Sequence, residues 1–140
     1  MSAHTLSIKQ AANVSNVSVH TLRYYERIGL LPPVSRDARG IRRYSERDLG
    51  AVNILLRLRD TGMSIQGMKQ FASLLTLGDD GIPERLLLLE QHEKAVREKI
   101  RELELNLEAI NTKMTIYRKH KTVQNIIPDS NSSQYAGGTT

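Results

Sequence analysis

The sequence VSVHTLRYYERIGLL, residues 17–31, contains one short helix together with its start and its end. Ser18 is suited to the N-cap position, because its hydroxyl can accept a hydrogen bond from a free backbone N–H of the first turn. Val19 and Leu22 lie three residues apart on one face, which predicts that this face packs inward. Gly29 is typical of a left-handed residue after a helix C-terminus. The run therefore predicts a helix with a basic and aromatic outer face.

Further helices are predicted on both sides of this element. Ser7 precedes a short apolar-periodic stretch, and a polar turn separates that stretch from Ser18, which together predict a helix-turn-helix. Ser45 and Asp48 have the spacing of a capping box, and Thr61-Gly62 ends the helix that they begin. Ser64 is a candidate N-cap for the next helix. The predicted helices are 8–13, 18–28, 45–61 and 64–77.

A basic wing is predicted between the second and third helices. Leu31-Pro32-Pro33 prevents the second helix from continuing, and Asp37-Ala38-Arg39-Gly40 is a turn sequence between two short extended arms. Exposed arginines on a hairpin contribute little to folding, so their concentration here favours contact with DNA phosphates. The groups concerned are Arg36, Arg39, Arg42, Arg43 and Tyr44.

The positive charge of the chain is concentrated in its first 62 residues. The formal net charge is +5; residues 1–62 contain ten Lys and Arg against five Asp and Glu, whereas residues 63–140 contain ten of each. A localised basic excess is typical of nucleic-acid binding, although a surface that only favours solubility has the same composition.

Composition excludes several classes of protein. The 140 residues include no cysteine, which rules out disulfides and thiolate metal sites. No apolar stretch approaches the ~20 residues of a membrane helix, so we expect a cytoplasmic protein without membrane contact. The four histidines have no carboxylate partner at catalytic spacing, and no phosphate-binding loop or nucleophile motif is present. We therefore expect neither an enzyme nor a cofactor or metal site.

The region after residue 83 has a different pattern. Gly78 to Pro83 is a breaker cluster, which predicts a domain over 1–78, a long helix over 83–121 and a disordered tail over 122–140. Apolar residues recur along this helix at steps of three or four, and only a second chain can bury such a seam along its whole length. The predicted homodimer interface is Leu89, His92, Val96, Ile100, Leu103, Leu107, Ile110, Met114 and Tyr117.

The second helix and the wing carry both kinds of group that DNA recognition needs. Cationic side chains hold phosphates, and polar side chains on a helix in the major groove contact base edges. Arg23 suits either role. One of Tyr24 and Tyr25 is expected to pack and the other to contact DNA, while Arg59 suits either a phosphate or the C-terminus of its own helix. The candidates outside the wing are Ser18, His20, Arg23, Tyr25 and Arg59.

The order of these motifs resembles the amino-terminal domain of MerR-family transcription regulators. Leu22 to Glu26 with Gly29-Leu30 is similar to the recognition-helix motif of the family, Gly40 to Tyr44 to its wing, and Leu56 to Ile65 to its third helix and following turn. The resemblance covers about residues 4–76. It implies a mainly α fold, in which a winged helix-turn-helix domain precedes a long helix that forms an antiparallel coiled coil in the dimer. It also implies DNA contacts from Ser18, His20, Arg23, Tyr25, Arg36, Arg42, Tyr44 and Arg59.

The resemblance also implies a mechanism. Family members bind a near-palindrome in a long promoter spacer, where they bend and untwist the double-stranded DNA. The deformation affects RNA polymerase through the DNA, and it costs several kcal/mol. An unidentified small-molecule effector would shift the protein between two conformers. Asp60 to Ile65 resembles the subgroup that senses aldehydes or nitrosative stress, but its usual cysteine is absent and Arg57 stands near that place. The alternatives are an architectural DNA-binding protein without an effector and a coiled-coil adaptor for an acidic protein.

Overall fold

The computed structural model describes residues 4–120, and within them the protein is almost entirely helical. Five α-helices and one short 3₁₀-helix follow each other along the chain, and no strand longer than a single bridge occurs between residues 4 and 120. The mainly α prediction is confirmed. The helices are α1 (Ile8–Ser15), α2 (Val19–Arg27), α3 (Glu46–Asp60), α4 (Ile65–Leu75) and α5 (Ile82–Arg118), with the 3₁₀-helix over Gly78–Gly81.

Serine N-caps fix the starts of the first four helices. Each serine hydroxyl accepts a hydrogen bond from a backbone N–H in the first turn of its helix, which satisfies a donor that has no partner inside the helix. The α1 and α3 starts are full capping boxes, closed by Gln10 and Asp48. The predicted N-caps Ser7, Ser18, Ser45 and Ser64 are confirmed, and α1 extends two residues beyond its predicted end.

The apolar core lies among α1 to α4 and supports α2 from its inner side. Leu22 and Tyr25 of α2 are buried, as are two alanines of α1, Ala11 and Ala12, whose small side chains permit close approach of the two helices. The remaining core is aliphatic apart from Tyr44 and Phe71. Burial of one face of α2 therefore determines which of its side chains are exposed.

The wing, residues 32–44, is an irregular loop with two isolated bridges. Arg36 pairs with Arg42, and Leu6 pairs with Tyr44, both in antiparallel fashion. The predicted hairpin is therefore present only as a turn with short contacts, because Pro32 and Pro33 contribute no backbone N–H to a ladder. Gly40 has φ of 80°, a conformation that favours glycine at the tip.

Asp37 organises the tip of the wing. Its carboxylate accepts hydrogen bonds from the backbone N–H groups of Ile41, at 3.0 Å, and Arg39, at 2.9 Å. The bond from Ile41 is the main reason that the pKa of Asp37 lies below its ordinary value. The turn predicted from residues 37–40 thus has a side-chain acceptor at its centre.

The chain divides after Val96 into two compact units. The predicted boundary at residues 78–83 differs from this division, because the first turns of α5 pack against the core through Leu88 and Leu89. Arg85 adds a polar connection, since its Nη1 donates to the carbonyl oxygens of Leu74, at 2.8 Å, and Gly78, at 2.9 Å. The predicted tail at 122–140 lies outside the described residues, and α5 ends at Arg118.

The second unit contains the rest of α5, whose apolar side chains are exposed. Six of these side chains follow alternating steps of three and four residues, the pattern of a coiled-coil seam, whereas the exposed Leu105 and Ile116 lie off it. None of the helices within residues 4–120 is long and apolar enough to cross a membrane. The exposed seam residues of this unit are Ile100, Leu103, Leu107, Ile110, Met114 and Tyr117.

The Gly81→Ala variant tests the tight junction between α4 and α5. A Cβ at this position would overlap the carbonyl oxygen of Leu74 and lie 2.9 Å from Nη1 of Arg85, so we expect unfolding to become easier by about 2 kcal/mol. Gly50→Ala is the control, because nothing lies within 4 Å of its Cβ position inside α3 and a gain of about 0.5–1 kcal/mol is expected. Urea unfolding measures the free energy of unfolding of both variants. Equal changes in the two variants would contradict a tight junction at Gly81.

Candidate nucleic-acid interface

The exposed face of α2 carries polar, cationic and aromatic side chains. His20, Arg23 and Arg27 are exposed, and the guanidinium of Arg27 lies over the Tyr24 ring at 5.4 Å from its centre. The Ser18 hydroxyl accepts from the backbone N–H of Thr21 at 3.0 Å, so Ser18 acts as the N-cap. The predicted contacts His20 and Arg23 therefore lie on one accessible helical surface.

Tyr25 packs and also presents its hydroxyl to a cation. Its side chain is buried, whereas Tyr24 is 38% exposed. The Tyr25 hydroxyl accepts a hydrogen bond from Nη1 of Arg59 at 3.3 Å. Because that oxygen accepts from Arg59, its own O–H is left to donate to another acceptor.

Arg59 is held by a carboxylate beside this hydroxyl. Asp60 accepts from Nε of Arg59 at 3.0 Å and from its Nη2 at 2.9 Å. These bonds are the main reason that the pKa of Arg59 lies above its ordinary value. The C-terminal end of α3 therefore places a guanidinium against the hydroxyl of the core-facing tyrosine of α2.

Three of the four wing arginines are tied to the protein by part of the guanidinium, whereas the side chain of Arg39 is exposed. Nε of Arg42 donates to Glu26 of α2 at 2.6 Å. Arg43 faces the amino-terminal segment, where its Nε donates to the Thr5 hydroxyl at 3.1 Å and its Nη2 to the Thr5 carbonyl at 3.0 Å. Nη1 of Arg36 donates to the Gly40 carbonyl at 2.8 Å. The structure thus brings Arg42 next to α2 and turns Arg43 away to a different partner.

Tyr44 belongs to the core. Its side chain has no exposed surface, so it does not reach a phosphate, and the prediction of a DNA contact here is corrected. The sequence places it directly after two arginines, but its backbone pairs with Leu6 and its ring fills the space under the wing. Burial, and secondarily the negative charge of Glu26, raises the pKa of Tyr44. Its hydroxyl has no hydrogen-bond partner among the described residues.

Two members of the predicted dimer seam have partners within their own chain. Leu89 is partly buried against the core, and the Nε2 atom of His92 lies 2.7 Å from the Thr61 hydroxyl. Thr61 uses its own proton in a 2.7 Å bond to the Arg57 carbonyl, so it accepts from His92. His92 therefore connects α5 to the C-terminus of α3, a role that the seam pattern did not predict.

Three polar partners of the interface were not found from the sequence. Glu26, Asp60 and Thr5 contact arginines that are predicted to bind DNA, at sequence separations of 16, 1 and 38 residues. Only the Arg59-Asp60 pair is visible as a local signal, since its two members are adjacent. No group of three or more His, Asp or Glu side chains able to hold a metal ion occurs within residues 4–120.

Comparison with known proteins identifies the family. The model of the MerR HTH family regulatory proteins matches residues 6–75. An uncharacterised HTH-type transcriptional regulator of Haemophilus influenzae is 39% identical over 122 residues, which cover 87% of this chain and 90% of the relative. The chain belongs to the MerR family. The predicted resemblance and the prediction of a transcription regulator are confirmed, and nothing in these similarities points to catalysis.

Two further similarities bear on this MerR-family member. The HTH-type transcriptional regulator AdhR of Bacillus subtilis is 38% identical over 84 residues, 60% of each chain, which gives the predicted subgroup some support. The crystal structure of HiNmlR, described as a MerR family regulator lacking the sensor domain and bound to promoter DNA, superposes with a TM-score of 0.76 at 40% identity. That comparison covers 86% of this chain and 96% of HiNmlR.

Tyr44→Phe tests whether Tyr44 acts in the core or on DNA. Removing a buried hydroxyl without a partner leaves the free energy of unfolding unchanged or raises it by about 1 kcal/mol, and DNA affinity stays constant. Urea unfolding and a DNA titration measure the two quantities, with exposed Tyr24→Phe as the control for stability. A large loss of affinity at unchanged stability would restore Tyr44 as a DNA contact.

Proposed function

We propose that this MerR-family regulator binds a near-palindromic operator in promoter DNA as a homodimer. The observation that carries the proposal is the Arg42–Glu26 bond, which joins the wing to α2 beside the exposed face of that helix. In the bound state α2 enters the major groove, and the wing contacts the adjacent phosphates. The similarity to HiNmlR, whose structure contains promoter DNA, supports binding to promoter DNA.

Each part of the interface supplies a different kind of contact. His20 and Arg23 on α2 face the base edges, where Arg23 can donate two bonds to guanine. Arg36, Arg42 and the Tyr25–Arg59 pair contact phosphates, which fix the register of the helix on the duplex. The basic excess of residues 1–62 adds sequence-independent attraction, so binding is strongly salt-dependent.

The exposed seam of α5 is the basis for the homodimer. A monomer leaves the six seam side chains of the second unit in water, and pairing with a second copy in an antiparallel coiled coil removes them from solvent. Two symmetry-related α2 helices then contact two half-sites, which is why the operator is a near-palindrome.

Regulation of transcription would follow from deformation of the bound DNA. Bending and untwisting of the promoter spacer changes how RNA polymerase meets the two hexamers, so the polymerase is affected through the DNA. Deforming a site of this length costs several kcal/mol, which contacts from both wings repay. An effector would bias the protein between conformers that deform the DNA to different extents.

A second candidate is an architectural DNA-binding protein of the same fold without an effector. It is favoured by the similarity to HiNmlR, because that protein is described as lacking the sensor domain and this chain covers 96% of it. The two candidates share the DNA interface and differ in whether a small molecule changes transcription from the bound promoter.

Selection of genomic fragments tests the proposed function. Purified protein is mixed with sheared genomic DNA at physiological salt, and the bound fragments are sequenced; this salt suppresses purely electrostatic binding. We expect a shared near-palindrome inside long promoter spacers. Recovery of fragments without a shared sequence would contradict an operator-binding regulator and favour the architectural protein, whereas no recovery of DNA would favour a coiled-coil adaptor.

Leu103→Arg tests the seam, with Leu105→Arg as a matched control. The two leucines are 58% and 52% exposed in the single chain, but only Leu103 lies on the seam. An arginine at 103 would bury an unpaired charge in the dimer, so we expect monomers and about a hundredfold weaker operator binding. Sedimentation equilibrium measures the mass. If both substitutions dissociate the dimer equally, or if neither dissociates it, the proposed dimer interface is contradicted.

A further inference from the structure

Glu26 is a carboxylate at an interface that is proposed to bind a polyanion. It lies on α2 between Tyr25 and Arg27, and one of its oxygens is 2.6 Å from Nε of Arg42. A negative charge at this place repels phosphates and reduces the sequence-independent attraction of the surface. The position therefore calls for a physical reason that outweighs this repulsion.

The geometry of the contact leaves the rest of Arg42 available. The side chains of Glu26 and Arg42 are 17% and 30% exposed, so the pair is half-buried. Its single bond uses one of the five guanidinium N–H groups. The four N–H groups of the terminal nitrogens have no hydrogen-bond acceptor among residues 4–120. Glu26 thus restrains the guanidinium of Arg42 at Nε and leaves both terminal nitrogens without an acceptor among residues 4–120.

The wing is held by other contacts besides this ion pair. The end of the wing is already fixed by the buried Tyr44 ring and by the two backbone bonds between Leu6 and Tyr44, at 2.8 and 2.7 Å. Partly exposed ion pairs contribute little to folding. A free arginine, by contrast, loses much rotamer freedom when it binds DNA, and restraining it beforehand lowers that cost.

We propose that Glu26 is a positioning residue for DNA binding: it holds Arg42 by Nε so that both terminal nitrogens are directed at the DNA. The same bond fixes the position of the wing relative to α2, so that the two elements contact the duplex as one unit. This inference rests on the proposed function, because it assigns Arg42 to the DNA contact.

Removal of Glu26 is expected to change the affinities for operator and unrelated DNA in opposite directions, unlike removal of an ordinary surface carboxylate. Loss of an ordinary surface carboxylate strengthens binding to any DNA, since one repulsive charge disappears. Loss of Glu26 also releases Arg42, so binding to unrelated DNA becomes stronger while binding to the operator becomes weaker. The ratio of the two affinities therefore falls, which a merely electrostatic role cannot produce.

Glu26→Ala is compared with Glu46→Ala, a control that removes an exposed carboxylate from the start of α3. The probes are the operator duplex recovered by genomic selection and a scrambled duplex of equal length, titrated across a range of KCl concentrations. For Glu26→Ala we expect about tenfold weaker operator binding, with a salt slope shallower by about 0.9. Glu46→Ala leaves operator binding unchanged or stronger. Strengthening of operator binding by both substitutions would overturn the proposal.

Two further variants separate positioning from damage to the fold. Glu26→Gln keeps an oxygen that accepts from Arg42, so its operator affinity should lie between those of wild type and Glu26→Ala. In an Arg42→Ala background, Glu26→Ala should cause no further loss; an additional tenfold loss would overturn the proposal. If the wild-type protein itself does not distinguish the operator from the scrambled duplex, the proposed function fails, whereas a failure confined to Glu26 leaves it intact.

Discussion

The burial of Tyr44 is the interaction on which the arrangement of the wing depends. The wing has two isolated bridges and no continuous ladder, so a ring that fills the core replaces the sheet that would otherwise hold it. Side chains two residues apart on an extended segment share a face, which brings Arg42 to the same side as Tyr44 and next to α2. Arg43 lies on the other face and bonds to Thr5.

Carboxylates direct two of the arginines that are proposed to contact DNA. Asp60 accepts two bonds from Arg59, while Glu26 accepts one from Arg42. A long cationic side chain that is already oriented loses less entropy on binding, so a basic surface can gain by including a few acids. The distribution of charge within the interface is therefore more informative than the net charge of residues 1–62.

Local signals were sufficient to predict the helices. Serine caps and the glycines after helix ends act within three or four residues of the chain, so Ser7, Ser18, Ser45 and Ser64 gave the helix starts directly. The turn of the wing was equally local, because Asp37 and Gly40 lie within the four residues that form it. The family could also be predicted, since several motifs occur in one order.

Tertiary contacts determine the roles of the residues that the sequence left open or predicted differently. A tyrosine after two arginines suits a phosphate contact as well as a core position, and only packing under the wing places Tyr44 inside. Leu89 and His92 fit the period of a dimer seam, yet one packs on the core and the other bonds to Thr61, 31 residues away. The bond between Glu26 and Arg42 spans 16 residues, beyond any helical or turn spacing.

Hydroxyl-radical footprinting on the selected operator tests most directly whether α2 and the wing of two protomers contact DNA as one surface. The account predicts two protected regions related by a two-fold axis, each with a flanking patch of protected sugars that disappears in the Arg42→Ala protein. A single protected region, or flanking protection that persists without the Arg42 side chain, would contradict it.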